Sequence, residues 1–106
     1  MTQMIRLVDS ERIAFSRGWI FHCAKAEYPY ENKVEFMIRE DNNSPSDYAI
    51  MVISGHKAGC TLVRPPLECI IEREGIGKEW LLNNWAKWIY DPCPITDIYV
   101  YRIEVS

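Results

Sequence analysis

Side-chain catalysis needs a nucleophile beside a base, or two acids whose surroundings separate their pKa values. This chain of 106 residues has two histidines and four cysteines, and they combine poorly. His22 and Cys23 are adjacent, so on a strand they point to opposite faces and cannot form a dyad. His56 and Cys60 stand four apart across an expected turn rather than along a helix. Neither histidine has a carboxylate at a recurrent metal-ligand spacing, and none of Cys23, Cys60, Cys69 and Cys93 makes a C-x-x-C pair. Gly55-His56-Lys57-Ala58-Gly59 lacks the spacing of a phosphate loop and no helix follows it. A tight connection with glycines at positive φ is the expectation there. The sequence nominates no catalytic residue, no metal ligand and no cofactor-binding residue.

What remains has the chemistry of a contact surface. Tyr28 and Tyr30 flank Pro29 and are followed by Glu31, a rigid amphipathic turn. Asp41 and Asp47 bound a run of turn-forming residues. Glu72 and Glu74 belong to an acidic stretch, Glu68–Glu79, that can steer a basic partner. Trp80 lies about 100° before Leu81 on a helix, outside the apolar stripe, and its i+4 and i+7 neighbours are Asn84 and Lys87. A large aromatic on a polar flank is a candidate interface anchor. Each has a plainer alternative: packed tyrosines, a solvated loop with Glu79 at the positive end of a helix dipole, and a tryptophan tucked under the loop before its helix.

The elements that must position these residues follow from periodicity. Gly18–Cys23 is rich in aromatic and β-branched types and reads as a strand. In residues 33–40, Val34, Phe36 and Ile38 alternate with Glu35, Met37 and Arg39, the period of a half-buried antiparallel strand. Asp41–Asp47 is a loop, Tyr48–Ile53 a central strand, and Cys60–Arg64 a strand ended by Pro65-Pro66. Residues 4–8 suit a short strand, and 9–16 fit no single pattern. Lys78–Tyr90 is the one helix, with Leu81, Leu82, Trp85, Trp88 and Ile89 on one face and Asp91-Pro92 at its end. Asp97–Val105 is a final strand. The expectation is an α+β fold in one domain, residues 1–106: a mostly antiparallel sheet, with a half-open barrel as the other arrangement of the same pattern, and one helix packed on it.

Composition bounds the function. The net charge is −3, with 48% hydrophobic and 25% charged residues. That excludes a disordered chain and argues against nucleic acid as a partner, since such domains are normally basic. Tyr48–Ser54, the longest nearly uncharged apolar run, is far short of the ~20 residues that span a bilayer. The N-terminus carries Asp9 and Glu11 and no apolar export segment. The expectation is a cytoplasmic protein with no membrane partner and with reduced cysteines in apolar runs.

Four segments carry a family resemblance: Tyr28-Pro29-Tyr30-Glu31, Ser54–Gly59 running into Leu62-Val63, Glu79-Trp80-Leu81…Asn84-Trp85…Lys87-Trp88-Ile89-Tyr90, and Asp97-Ile98-Tyr99-Val100. In these the chain resembles the small cytosolic immunity proteins of bacterial polymorphic-toxin systems, including contact-dependent growth inhibition. The resemblance implies a non-enzymatic inhibitor that binds one cognate toxin domain, commonly a nuclease and therefore basic. It implies no cofactor and names no contact residues. We take Tyr28, Tyr30, Glu31, Asp41, Asp47, Glu72, Glu74 and Trp80 as the candidate partner-binding set. The rival readings are a small-molecule-binding domain with an aromatic-lined pocket, a hydrolase or transferase using His22, His56 or Cys23, and a subunit of a larger assembly.

Overall fold

A computed structural model describes residues 4–24 and 34–102. The alternating segment is β4 (Val34–Glu40), and the strands expected around it are present: β3 (Trp19–Cys23), β5 (Tyr48–Val52) and β6 (Thr61–Val63). They pair consecutively as an antiparallel meander. On the far side of β3 lies β9 (Ile98–Arg102), and outside it β1 (Ile5–Arg6), giving a sheet in the order β1-β9-β3-β4-β5-β6. This sheet is open, not closed into a barrel. Register places Val100, Phe21, Phe36 and Val52 in one row across four strands, so period-2 alternation becomes an apolar face.

A second sheet was not foreseen. β2 (Ala14–Phe15), β7 (Ile70–Ile71) and β8 (Gly75–Gly77) form an antiparallel sheet in the order β2-β8-β7. Part of the acidic stretch is thus the β7–β8 hairpin rather than a loop. Gly75 permits the close approach of β8 to β2: at φ +119°, a Cβ there would lie 2.3 Å from the Phe15 carbonyl oxygen.

The helix begins as expected but changes pitch. α1 covers Lys78–Asn84, and Trp85–Ile89 continues as a π-helical turn closed by the Tyr90 amide on the Trp85 carbonyl at 3.0 Å. No side chain caps its start. Instead the Lys78 amide donates to Ile13 O at 2.8 Å, and its ammonium donates to Ser10 O at 2.6 Å. Leu81, Trp85 and Ile89 are buried, while Leu82 and Trp88 are only half-buried. Edge-to-face rings join the layers: Phe15 to Phe21 at 5.9 Å and Phe21 to Trp85 at 5.3 Å. The small sheet, the large sheet and the helix therefore share one core.

One expectation needs correction, and one polar residue is more buried than the alternation implies. Cys60 is exposed, unlike Cys23, Cys69 and Cys93, which are buried thiols; it lies at the end of the Gly55–Gly59 turn, before β6 enters the sheet. Glu35, on the sheet face away from the helix, is 6% exposed rather than solvated, because neighbouring strands supply it with hydrogen-bond donors. No helix among the described residues is long and apolar enough to cross a membrane.

Candidate functional site

The β4–β5 loop is built from its own polar atoms. The Asp41 amide donates to Asp47 O at 2.9 Å, Ser44 N to Asp41 O at 3.0 Å, and Asp47 N to Ser44 O at 3.0 Å. Ser44 and Ser46 are buried and their hydroxyls lie 3.1 Å apart. Asp47 takes φ +66°, a conformation Asp tolerates better than most residues. The β7–β8 hairpin turns tightly too, with Glu74 N donating to Ile71 O at 2.9 Å and Arg73 at φ +67°.

These two segments, some thirty residues apart in sequence, stand side by side. Burial pushes the Cys69 thiol up to about 11, and Ser46 pulls it the other way. Between them opens a polar cleft of about 400 Å³, lined by Glu40, Asn42, Asp47, Tyr48 and Arg73 among others. Among the described residues, the two non-glycine residues with positive φ, Asp47 and Arg73, both line it. Glu72 and Glu74, exposed at the hairpin tip, flank Arg73. Glu40 also lies 3.8 Å from the Arg17 guanidinium, but both side chains are well exposed, so the pair contributes little. The charged residues that line the cleft are Glu40, Asp47 and Arg73; with Glu72 and Glu74 on either side of Arg73 in the chain, acids outnumber bases in this neighbourhood.

The candidate residues divide. Asp47 lines this cleft, while Glu72 and Glu74 are exposed neighbours of Arg73, the hairpin residue that lines it. Asp41 turns inward: its Oδ1 accepts the Asn43 amide at 2.9 Å, and its Oδ2 accepts Arg64 Nε at 2.7 Å and lies 3.5 Å from the Arg39 guanidinium. The Asn43 amide first, then Arg64, hold its carboxyl below the usual range. Trp80 is half-buried on the helix, its ring 5.8 Å from that of Trp88, and does not line the cleft. Tyr28, Tyr30 and Glu31 lie outside the described residues. Glu40, Asn42 and Arg73 escaped the sequence reading. Glu40 had one signal, its position between an alternating strand and a turn cluster.

Two other sites have defined geometry. On the large sheet, His22 Nδ1 lies 3.1 Å from Glu35 Oε2, and the Tyr101 hydroxyl donates to the same oxygen at 2.8 Å. Burial and then that carboxylate push the Tyr101 phenol up to about 12. Cys23 points the other way, into the core, so His22 and Cys23 form no dyad. Beside β6, an apolar cavity of about 230 Å³ is lined by Val34, Phe36, Val52, Leu62 and Tyr90, with Lys57 and His56 also contributing. Among the described residues, no group of three or more His, Cys, Asp or Glu is placed to hold a metal ion.

Residues 10–100 match the family described as Immunity protein 45. The chain belongs to that family. Comparison with curated proteins and with solved structures gives no match.

Proposed function

We propose that this Immunity protein 45 family member neutralises one cognate toxin domain by stoichiometric binding that covers the toxin's active site. It acts as an inhibitor without catalysis of its own, in the cytoplasm of a bacterium that deploys a polymorphic toxin of the contact-dependent kind. The toxin domain is a basic nuclease, and the acidic cleft rim is the surface that meets it. The observation that carries this reading is that Glu40 and Asp47 line one cleft with Arg73, the residue that stands between exposed Glu72 and Glu74. The rim is held by main-chain hydrogen bonds, so its carboxylates are presented without further ordering of the loop. A basic active site evolved to grip phosphates is attracted by such an array and is steered to it over distance. An interface of roughly 800 Å² on each partner is within reach of a domain this size.

The test is calorimetric titration with the toxin domain encoded beside the gene, catalytically disabled. A 1:1 complex of nanomolar affinity, weakened by salt, is expected. Asp47→Asn with Glu72→Gln and Glu74→Gln should weaken it at least tenfold and flatten its salt dependence. Asn also tolerates positive φ, so the loop survives. Wild-type affinity in the triple variant would refute the rim as the contact surface, and absence of binding would refute the inhibitor reading.

A second reading draws on the apolar cavity beside β6, whose mostly apolar lining suits a ligand smaller than drug size. A co-purified apolar molecule, or thermal stabilisation by metabolites, would favour it.

A further inference from the structure

The walls of the apolar cavity beside β6 come from three strands and from the end of the helical segment. Phe36 and Val52 are paired across β4 and β5, and Val34 stands two residues from Phe36, on the same face of β4. Tyr90 adds a further wall, its ring 5.6 Å from that of Phe36. Leu62 comes from β6, and a bulge sets its position. Ile50 pairs with Val63 and Met51 with Thr61, so two steps along β6 answer one along β5, and Leu62 is the extra residue. Such an insertion bends a strand and re-aims a side chain. Leu62 is 37% exposed, a large apolar residue that lines the cavity rather than filling the core.

The remaining lining is polar and comes from one turn. The Ala58 amide donates to Gly55 O at 3.1 Å and the Gly59 amide to Val52 O at 2.7 Å. At the start of the turn, Ser54 Oγ accepts the Glu35 amide at 2.9 Å. Held in this way, the turn brings Ser54, His56 and Lys57 to the cavity. Val34 and Phe36 are buried and form the floor, while His56, Lys57 and Leu62 are exposed and mark the mouth. Among the described residues that line the cavity, Lys57 is a cation and none is a carboxylate. A lysine in this setting lays its carbon stem on apolar surface and keeps its ammonium in water.

We infer, resting on the small-ligand reading of this cavity, that it binds a small amphiphilic carboxylate, with the apolar body inside and the anionic head at Lys57. The body packs between Phe36, Val52 and Tyr90 and covers Leu62. The carboxylate accepts hydrogen bonds from the Lys57 ammonium. The volume of about 230 Å³, at roughly 30 Å³ for each water-sized group, suits a body of about eight heavy atoms. A neutral head of the same length forgoes the ion pair, and a cationic head meets Lys57 as a like charge.

The experiment titrates the full-length chain, labelled on its valine and leucine methyls, with sodium octanoate, octanol and octylammonium chloride, each below its micelle concentration. Methyl NMR shifts report binding. Octanoate should move the Val34, Val52 and Leu62 methyls saturably. It should bind roughly tenfold more tightly than octylammonium, whose charge is reversed beside Lys57, with octanol between them. Lys57→Met keeps the stem and removes the charge; it should weaken octanoate roughly threefold to fivefold, the range of an exposed ion pair, and leave octanol unchanged. Leu62→Gln should weaken both. Equal affinity for octanoate and octanol, unmoved by Lys57→Met, would overturn the carboxylate head while the small-ligand reading stands. Failure of all three probes to move these methyls would overturn both. The wild-type comparison of the three heads decides the matter even if a variant fails to fold.

Discussion

Replacing Gly75 by alanine should cost much more stability than replacing Gly59, although both glycines have positive φ, +119° and +97°. Conformation alone disfavours an L side chain at either position by about 1–2 kcal/mol. The surroundings separate them. A Cβ at Gly75 would meet the Phe15 carbonyl oxygen at 2.3 Å, its carbon at 2.7 Å and Ser16 N at 3.0 Å, whereas at Gly59 it would meet nothing within 4 Å. The obstacle at Gly75 is main chain, which cannot swing aside as a flexible side chain would. Overpacking adds about 1–3 kcal/mol, so the expected losses are about 2–5 kcal/mol for Gly75→Ala and about 1–2 kcal/mol for Gly59→Ala. Domains of this size have about 5–15 kcal/mol in total. Urea unfolding followed by tryptophan fluorescence should show the difference as a shift in midpoint at constant slope; with a slope of about 2 kcal/mol/M, Gly75→Ala moves the midpoint by roughly 1–2.5 M. Equal shifts in the two variants would refute the claim that contact between β2 and β8 is what demands glycine at position 75.

Three further outcomes are expected. Asp41 is held below the usual carboxylate range, so the unfolded chain takes up that proton first as pH falls. The stability Asp41 contributes should be complete above about pH 4 and lost as pH drops through its folded value; urea midpoints of Asp41→Asn should depend less on acid than those of wild type. Tyr101 titrates at about 12 in the fold, so its contribution should be complete below about pH 10 and lost as pH rises toward that value, and Tyr101→Phe should flatten the alkaline limb. Trp80→Ala should lower the melting temperature, since the ring packs on Trp88 and the core; a loss of toxin affinity of 2 kcal/mol or more, roughly thirtyfold, in a folded sample would make Trp80 an interface anchor as well.

The parts of the fold legible in the sequence are those with enough residues to establish a period. The seven residues of β4 alternate, and the run Lys78–Ile89 places Leu81, Trp85 and Ile89 on one buried side. The second sheet escaped because its strands have two or three residues each. Such strands are specified by their partners, in this case by glycines that let backbones approach. The change of pitch at Trp85 also has no periodic signature. It coincides with Asn84, whose backbone leaves helical values (φ −125°, ψ 2°) and whose side-chain amide donates to the Trp80 carbonyl at 2.9 Å. The acids of the cleft were visible as residue types. Their grouping was not, because it depends on the packing of the 41–47 loop against the β7–β8 hairpin.

The position of β9 has a consequence for synthesis. Among the described strands it is the last in chain order, yet it lies between β1 and β3 and hydrogen-bonds to both. While the ribosome is still making the middle of the chain, β3 has only β4 beside it, β1 has no partner in the sheet, and the apolar row through Phe21 ends at an open edge. The meander β3–β6 can form early from local contacts. The central pairing spans most of the chain and must wait until Arg102 has cleared the exit tunnel, which places the slow, non-local step at the end of folding. A cell relying on this protein for protection would gain it only after translation has passed β9, with a delay set by that final strand insertion.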